Sequence, residues 1–182
     1  MTERERYNAW RDCQVTGSAT EKQFALIRFS DDLTVDLGDD STGQRFETIS
    51  KLRRGRRYYP SDVIRFYSPN IEANQNLETG ENILQIFRLL PFSWFPEMYS
   101  MAQIFVSEST ENTSTIGYLT TSKHFAKGWW KAELKRCENK LTLRVRSEAM
   151  PGSLLYWIGM PVARYLQLRA RRNAIEQFVK MN

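Results

Sequence analysis

The final third of the chain, residues 117–179, constrains the fold more than any other stretch. It contains strand patterns followed by a helical pattern that begins beyond Pro151 and runs almost to the last residue. Over residues 141–147 apolar and polar side chains alternate, which is the period of a sheet with one buried face. Strands that close around a C-terminal helix enclose an interior. This stretch therefore predicts a sheet gripping a long helix, with a binding cavity between them.

The predicted C-terminal helix has a broad apolar stripe. Apolar residues recur at every fourth position from Val162 to Phe178, and four arginines lie between and beside them within residues 164–172. A helix lying on a membrane surface would separate its two faces more cleanly, so the stripe indicates packing on a curved sheet, with arginine stems covering apolar surface. Pro161 either begins a second helix at its first turn or kinks a continuous one.

Shorter patterns predict the remaining elements. Ser41 and Gln44 fit a capping box, so a helix is expected to start there. A turn is predicted at residues 30–32, a polar loop at 68–80 and an aromatic loop at a cavity rim at 91–96, where two prolines exclude a central strand. The predicted strands are residues 24–29, 63–67, 83–90, 98–107, 115–119, 129–136 and 141–147.

The length of 182 residues suits one domain with a continuous core. We expect residues 24–182 to form this single domain. Residues 1–23 are polar and mixed in charge, with Tyr7 and Trp10 as their only large apolar anchors. They are predicted to form a partly ordered N-terminal arm.

The chain carries a formal net charge of +5, with basic residues concentrated in residues 51–57, 123–136 and 164–172. This favours anionic partners without identifying them. Cys13 and Cys137 have no Cys or His at metal-ligand spacing, so neither a metal site nor a cofactor is predicted. The charged N-terminus lacks a signal-peptide core, and arginine and proline interrupt the longest apolar region, which predicts a cytoplasmic protein without a transmembrane segment.

A series of short motifs occurs in one order along residues 33–179. They are Asp36-Leu37-Gly38, Tyr59-Pro60-Ser61-Asp62, Gly117-Tyr118-Leu119-Thr120 through His124 and Gly128, and Gly159-Met160-Pro161-Val162-Ala163-Arg164 with Gln167 and Arg171-Arg172. Together they resemble the uncharacterised domain-of-unknown-function family nineteen-ninety, a START-like (SRPBCC-type) helix-grip family. The resemblance implies an α+β helix-grip fold, in which a curved antiparallel sheet wraps around a long C-terminal helix.

The resemblance implies no established activity, because the family itself is uncharacterised. Relatives in the wider helix-grip superfamily bind lipids, sterols and other hydrophobic ligands, or act as cyclases and dehydratases on aromatic polyketides. Family members usually carry Gly-Glu-Glu after the histidine loop, whereas this chain has Gly128-Trp129-Trp130. If those acidic residues take part in chemistry, this chain lacks them.

His124, the only histidine, is the candidate catalytic residue, because a neutral imidazole can act as acid or base near neutral pH. The alternative is a loop hydrogen bond or a surface position, and Glu133, the nearest carboxylate in sequence, lies on the following predicted strand. The candidate ligand-binding residues offer hydroxyl groups or aromatic walls, and ordinary core packing is the alternative for each. They are Tyr118, Thr120, Phe125, Trp129, Trp94 and Trp157.

Three functions remain open from the sequence. The first is binding of a hydrophobic or amphipathic small molecule, such as a lipid, isoprenoid or aromatic compound, in an apolar cavity of roughly a few hundred cubic ångströms. The second is a small cyclase- or dehydratase-type enzyme that uses His124. The third is a peripheral protein that contacts an anionic surface through its arginine clusters, among them Arg53, Arg54, Arg56 and Arg57, although the sequence favours a solvated helix end as the explanation for these four. Nucleic acid is not expected, because aromatic and basic residues do not interleave as in RNA-binding motifs.

Overall fold

The computed structural model describes residues 1–18, 29–55, 63–88, 97–152 and 154–181, with the backbone alone for residues 154–163 and 166. Within these ranges the chain forms four helices and seven strands. In chain order they are α1 (Glu3–Trp10), β1 (Phe29–Asp39), α2 (Gln44–Arg54), β2 (Ile64–Tyr67), α3 (Pro69–Glu72), β3 (Asn82–Phe87), β4 (Met98–Ser109), β5 (Thr113–Thr120), β6 (Ala126–Cys137), β7 (Lys140–Pro151) and α4 (Leu154–Lys180).

The seven described strands form one antiparallel sheet in the order β1-β7-β6-β5-β4-β3-β2. Strands β2 to β7 follow one another as neighbours, which keeps their connections short. Strand β1 instead crosses to the far edge and pairs with β7, from Phe29 opposite Ala149 to Asp39 opposite Lys140. The pairing of the first and last strands places the start of β1 beside the entry to α4.

The main core lies where α4 packs on the sheet. Leu141, Leu143 and Val145 of β7 are buried there against Ala174 and Phe178 of α4, and α2 adds its own apolar face. The alternation seen in the sequence therefore gives the inner face of β7, as predicted. Each fully buried Leu or Phe side chain contributes about 1.5–3 kcal/mol of transfer free energy, so this contact is the main stabilisation of the grip.

Helix α4 runs without interruption over Leu154–Lys180. The question that Pro161 left open is thus answered in favour of one continuous helix. The sheet and this C-terminal helix confirm the predicted α+β helix-grip architecture. In the part of the chain that the structure describes, no helix combines the length and the apolar character needed to cross a bilayer.

Helix α2 begins in a different way from the one predicted. The capping box of Ser41 and Gln44 does not form, and a glycine with a φ of 78° occupies the cap position. The buried carboxylate of Asp40 replaces it, accepting hydrogen bonds from the main-chain N–H groups of Arg45 at 3.3 Å and Phe46 at 2.9 Å. A carboxylate is favoured at this position because the first N–H groups of a helix have no partners within the helix.

The described part of the N-terminal arm, residues 1–18, contains one helix. Residues Glu3–Trp10 form α1, and the buried Tyr7 packs against Leu84 and Ile86 of β3 and Met101 of β4. Leu84 and Ile86 lie two positions apart and so share one face of the strand. Helix α1 therefore covers the outer face of the sheet over β3 and β4.

The chain after α1 continues along the end of β5. The main-chain N–H groups of Thr16 and Gly17 donate to the carbonyl oxygen of Thr120 at 2.9 and 3.0 Å, and Val15 forms a bridge with Thr121. Residues 19–28 lie outside the described residues, so the strand predicted at 24–29 can be compared only at Phe29, where β1 begins.

Two of the loop predictions are wrong. Residues 30–32 are not a turn but part of β1, because each of them pairs with a residue of β7. The loop predicted at residues 68–80 contains α3, where Ser68 caps the helix by accepting from the N–H of Ile71 at 3.2 Å. The strands predicted at 63–67, 83–90, 98–107, 115–119, 129–136 and 141–147 correspond to β2 to β7 with shifted ends, and residues 89–96 lie outside the described residues.

Candidate functional site

A cavity of about 180 Å³ lies between the inner face of the sheet and α4. Aromatic and aliphatic side chains make up most of its wall, and a small number of polar groups interrupt them. The apolar wall includes Phe66, Phe87, Met98, Leu143, Leu168 and Ile175. A mainly apolar wall with a few placed polar groups is the usual composition of a small-molecule site.

Arg53, predicted to contact anions, lines this cavity, and so do five of the residues predicted as catalytic or ligand-binding. They are Tyr118, Thr120, His124, Phe125 and Trp129. Trp94 lies outside the described residues, and Trp157 lies in the part of α4 where only the backbone is described. Their roles as ligand contacts remain predictions.

Stacked aromatic rings form the centre of the wall. Tyr118 of β5 and Trp130 of β6 are direct cross-strand partners, with ring centroids 5.5 Å apart and planes inclined by 15°. This is the position at which neighbouring strands bring side chains into contact. Phe87 of β3 meets Phe125 edge-on at 6.4 Å. Phe87 was not a sequence candidate, because its strand pattern does not show that it faces the histidine loop.

The hydroxyl of Thr120 is already engaged by the next strand. Its Oγ1 accepts from the N–H of Gly128 at 2.8 Å and donates to the carbonyl oxygen of Gly128 at 3.2 Å. Residue 128 must be glycine here, because a Cβ at that position would lie 1.9 Å from the carbonyl oxygen of Glu148. Thr120 therefore joins β5 to β6 in the cavity wall, and its proton is not available as the ligand donor that the sequence suggested.

Gln85 of β3 is a cavity residue that the sequence analysis did not select. Its side chain is 1% exposed, and its Oε1 accepts from Ser100 Oγ at 3.1 Å and lies 3.2 Å from His124 Nε2. The amide nitrogen, Nε2, is buried and has no hydrogen-bond partner within the described residues. The one available signal in the sequence was a single glutamine inside the apolar run of residues 83–87.

The imidazole of His124 is held at both nitrogens. Its Nδ1 accepts from the main-chain N–H of Ala126 at 3.0 Å, and Nε2 faces Gln85 Oε1. The N–H of Ala126 favours the tautomer with the proton on Nε2, since this donor requires a lone pair on Nδ1, while the carbonyl oxygen of Ala126 lies 3.1 Å from the same nitrogen. Desolvation in the cavity wall lowers the pKa of His124 to about 4, partly opposed by a contact with the carbonyl of Ala126. The ring is therefore neutral near pH 7.

The carboxylate suggested as a partner for His124 lies elsewhere. Glu133 is on β6, one position away from the inward-facing Ala132 and Leu134, and its carboxylate pairs with Lys135 at 3.0 Å. Strand alternation puts it on the opposite face of the sheet from the cavity. Neutral groups, Gln85 and the main chain of Ala126, hold His124 instead.

A second polar group lies where β1 meets α4. The Asp31 carboxylate accepts from Arg164 Nη1 at 2.6 Å and Nη2 at 2.5 Å, and Arg171 Nη1 is 3.6 Å away. Ser147 Oγ adds a hydrogen bond at 3.3 Å. The hydrogen bonds from Arg164 hold the pKa of Asp31 below its ordinary value. These four residues also line the cavity, as do the charged residues Arg53 and Glu148.

Arg53 lies in the core and not in a surface cluster. It is 1% exposed, and its guanidinium donates to the carbonyl oxygens of Ser114 at 3.2 Å and Ala132 at 2.7 Å. This corrects the expectation that Arg53 meets an anionic surface, because its charge supports the main chain of β5 and β6 beside the cavity. Arg54 is half-buried, and Arg56 and Arg57 lie outside the described residues, so their surface role stays a prediction.

The described ranges contain no group of three His, Cys, Asp or Glu side chains that could hold a metal ion. Cys13 is half-buried and Cys137 is exposed, and both are free thiols. The described residues of the cavity wall offer apolar contacts, hydrogen bonds and charged groups, among them the ion pair of Asp31 with Arg164.

Comparison with known proteins identifies the fold. Neither a protein-family model nor a curated protein sequence matches the chain, so the resemblance to family nineteen-ninety is not confirmed. Solved structures do match. Human STARD10 superposes with a TM-score of 0.52 and 10% identity, over 100% of this chain and 81% of that protein.

Two further structures give a similar result. The hypothetical protein jhp0584 from Helicobacter pylori has a TM-score of 0.50 and 11% identity, over 84% of this chain and 86% of its own. Ara h 8.0201 has a TM-score of 0.50 and 12% identity, over 86% and 100%. At these identities the similarity concerns the fold alone, and it shows that the chain has the START/Bet v1 helix-grip fold.

Proposed function

We propose that this protein binds a hydrophobic or amphipathic small molecule, such as a lipid, an isoprenoid or an aromatic compound, between the sheet and α4. The observation that carries the proposal is the cavity, about 180 Å³ of space lined mainly by apolar side chains. The helix-grip fold supports it, because hydrophobic ligands are what the resemblance in the sequence implies for this architecture.

The physical basis for binding is the dispersion contact that the side chains of the cavity wall lack on the side that faces the cavity. Atoms that line an empty space lose dispersion contacts on one side, and a ligand restores them. Burial of apolar ligand surface adds about 25 cal/mol per Å². Apolar cavities of about 150 Å³ engineered in other proteins accept a benzene ring. A cavity of the present size thus accommodates at least one ring or a short branched chain.

The same geometry favours binding over catalysis at His124. A catalytic imidazole needs a proton to exchange near neutral pH and a group that positions it for the reacting atom. Here the pKa of His124 is lowered to about 4, and both ring nitrogens are engaged by Gln85 and Ala126. His124 acts as part of the wall in this proposal.

Native mass spectrometry of the purified protein, followed by organic extraction, is the direct test. A mass increment that disappears on extraction, with a hydrophobic compound in the extract, is the expected result. Titration with the neutral dye N-phenylnaphthylamine covers the case of a ligand lost during purification, since the dye fluoresces when it enters an apolar site. An apo mass together with no saturable dye binding would contradict the proposal.

A matched pair of variants places the binding in the cavity. Ala149 lines the cavity, whereas Met150, the next residue of β7, is not one of its lining residues. Ala149→Phe fills the space and should abolish saturable dye binding. Met150→Phe adds the same ring outside the lining residues and should leave the dye affinity unchanged. Equal loss in both variants would indicate that the dye binds elsewhere.

A further inference from the structure

The polar cluster of Gln85, Ser100 and His124 is incomplete in one respect. Ser100 Oγ donates to Gln85 Oε1 at 3.1 Å, and His124 Nε2 lies 3.2 Å from the same oxygen. Both lone-pair positions of this amide oxygen are therefore occupied. The amide nitrogen of Gln85, by contrast, is buried and finds no acceptor in the described part of the chain.

A buried donor without an acceptor is costly. Its desolvation is not compensated, at about 1–3 kcal/mol, and native proteins leave few such groups. The surrounding strand offers no relief, since the neighbours of Gln85 in β3 are apolar and their main-chain groups are paired with β2 and β4. Gln85 is also part of the cavity wall. An acceptor atom within the cavity would complete the cluster.

We propose that Gln85 and His124 form a subsite that binds the carbonyl oxygen of a neutral, otherwise apolar ligand through a hydrogen bond. The Gln85 amide nitrogen donates to this oxygen, and His124 holds the amide in the orientation that presents nitrogen. This inference rests on the proposed binding function and adds the class of ligand.

The charge of the surroundings favours a neutral carbonyl over a carboxylate. The subsite consists of an amide, a hydroxyl and an imidazole, none of which carries a charge near pH 7. A buried carboxylate needs a cationic partner to offset its desolvation. Arg164 and Arg171, on α4, are directed to Asp31 at 2.5–3.6 Å. Arg53, which also lines the cavity, donates to the main-chain carbonyl oxygens of Ser114 and Ala132. A ketone, an aldehyde or an ester provides the acceptor oxygen that the Gln85 amide needs, and it brings no additional charge into the cavity.

Acetophenone and ethylbenzene are suitable probes, because they have nearly the same shape and differ in a carbonyl in place of a methylene. The Kd of each is measured by titration calorimetry for the wild type and for Gln85→Met, which keeps the length of the side chain and removes the amide. The useful quantity is the ratio of the two Kd values, since the compounds also differ in their own hydration.

The expected result is that acetophenone loses about three- to tenfold in affinity relative to ethylbenzene in Gln85→Met, the size of one hydrogen bond. Gln103→Met is the control, because Gln103 lies on β4 and is not part of the cavity wall. It should leave the ratio at the wild-type value. An unchanged ratio in Gln85→Met, with both compounds still bound, overturns the subsite and leaves the proposed function standing. Failure of the wild type to bind either compound overturns the subsite, and it overturns the proposed function as well only when an apo mass and the absence of saturable dye binding accompany it.

A measurement on the wild type keeps the inference testable if Gln85→Met does not fold. Nitrogen-15 NMR of His124 should show the proton on Nε2, and the Gln85 side-chain NH₂ signals should shift with acetophenone and not with ethylbenzene. A proton on Nδ1 would mean that Gln85 turns its nitrogen toward His124, with its oxygen unpartnered. That result overturns the proposal, because the subsite would then offer an acceptor and not a donor.

Discussion

Asp31 on the first described strand and Arg164 on the last helix are joined by two hydrogen bonds, of 2.6 and 2.5 Å, although they are 133 positions apart in sequence. The pair connects the edge strand of the sheet to α4, which begins at Leu154, ten residues before Arg164. Both residues also line the cavity. The pair therefore forms the part of the cavity wall where β1 meets α4.

Removing the Arg164 side chain should lower the free energy of unfolding, because it breaks the ion pair between β1 and α4. The pair is partly exposed, with 16% and 26% of the two side chains accessible, so its contribution is smaller than that of a fully buried pair. We expect Arg164→Leu to lower the free energy of unfolding by about 1–2 kcal/mol. Arg172→Leu, at an exposed position on the same helix, is the control and should change it by less than about 0.5 kcal/mol.

The pH dependence of the Arg164 effect has a definite sign. The pKa of Asp31 is lowered in the folded protein, chiefly by the hydrogen bonds from Arg164, from an ordinary value of 3.8. The stabilisation is therefore present above about pH 4 and is lost as the pH falls below it. Urea unfolding of the wild type and of Arg164→Leu should give curves that converge at low pH. A difference that stays constant down to about pH 2 would contradict the assignment.

His124 should make the protein less stable in mild acid. Its pKa is about 4 in the folded protein and 6.5 in the unfolded chain, so between these values the unfolded state binds a proton that the folded state does not. Stability is unaffected above about pH 6.5 and falls as the pH decreases toward 4. Because the ring is only partly shielded, we expect a loss of about 1–2 kcal/mol between about pH 7 and pH 5.

The single histidine makes this prediction easy to check. The NMR titration of its ring protons reports the pKa without assignment ambiguity. In His124→Gln the dependence of the unfolding free energy on pH between about 5 and 7 should become shallower. An equal dependence in the two proteins, or a measured pKa near 6.5, would show that the imidazole is not desolvated.

Helix α1 should depend on Tyr7 for its attachment. Tyr7 is 8% exposed and packs on Leu84, Ile86 and Met101, while Glu3 in the same helix pairs with Arg65 at 2.7 Å. Tyr7→Ala removes the buried ring, and we expect a loss of about 2–4 kcal/mol, in the range of large-to-small core substitutions.

Hydrogen exchange separates detachment of α1 from a global loss of stability. In Tyr7→Ala the amides of residues 3–10 should lose protection before those of β6 and β7 do. The exposed Asn8, next to it on α1, provides the control, and Asn8→Ala should leave the exchange pattern unchanged. Simultaneous loss of protection in α1 and throughout the sheet would mean that α1 does not detach independently of the rest of the domain.

Asp40 should matter to α2 where Ser41 does not. The Asp40 carboxylate is the group that accepts from the first N–H groups of the helix, and Ser41 next to it forms no side-chain cap. Asp40→Ala should cost about 0.5–2 kcal/mol of unfolding free energy, and Ser41→Ala close to none. Asp40→Asn retains an acceptor and should fall between them. A larger loss in Ser41→Ala than in Asp40→Ala would restore the capping-box interpretation.

The elements that could be predicted are those that local periodicity determines. The alternation over residues 141–147 gave the inner face of β7, and the long helical pattern gave α4, because each period is imposed by the geometry of its own element. The histidine loop and Tyr118 were placed on a cavity for a related reason. A loop between two strands and an inward strand position can be read from neighbouring residues.

The cavity residues that escaped prediction depend on which strands become neighbours. Gln85 looks like an isolated polar residue in an apolar strand until β3 brings it opposite Ser100 and within reach of His124. Arg53 looks like one member of a basic helix end until packing buries it against the carbonyls of Ser114 and Ala132. In both cases the deciding contact joins residues that lie at least 15 positions apart.

By itself the sequence determined the fold class, the inward face of the C-terminal hairpin and the presence of an interior, because apolar burial follows a period that each element shows locally. Only the tertiary structure decided the polar chemistry of that interior. A buried hydrogen bond requires two groups at about 3 Å in the correct orientation. No local period encodes that distance when the partners, such as Asp31 and Arg164, come from opposite ends of the chain.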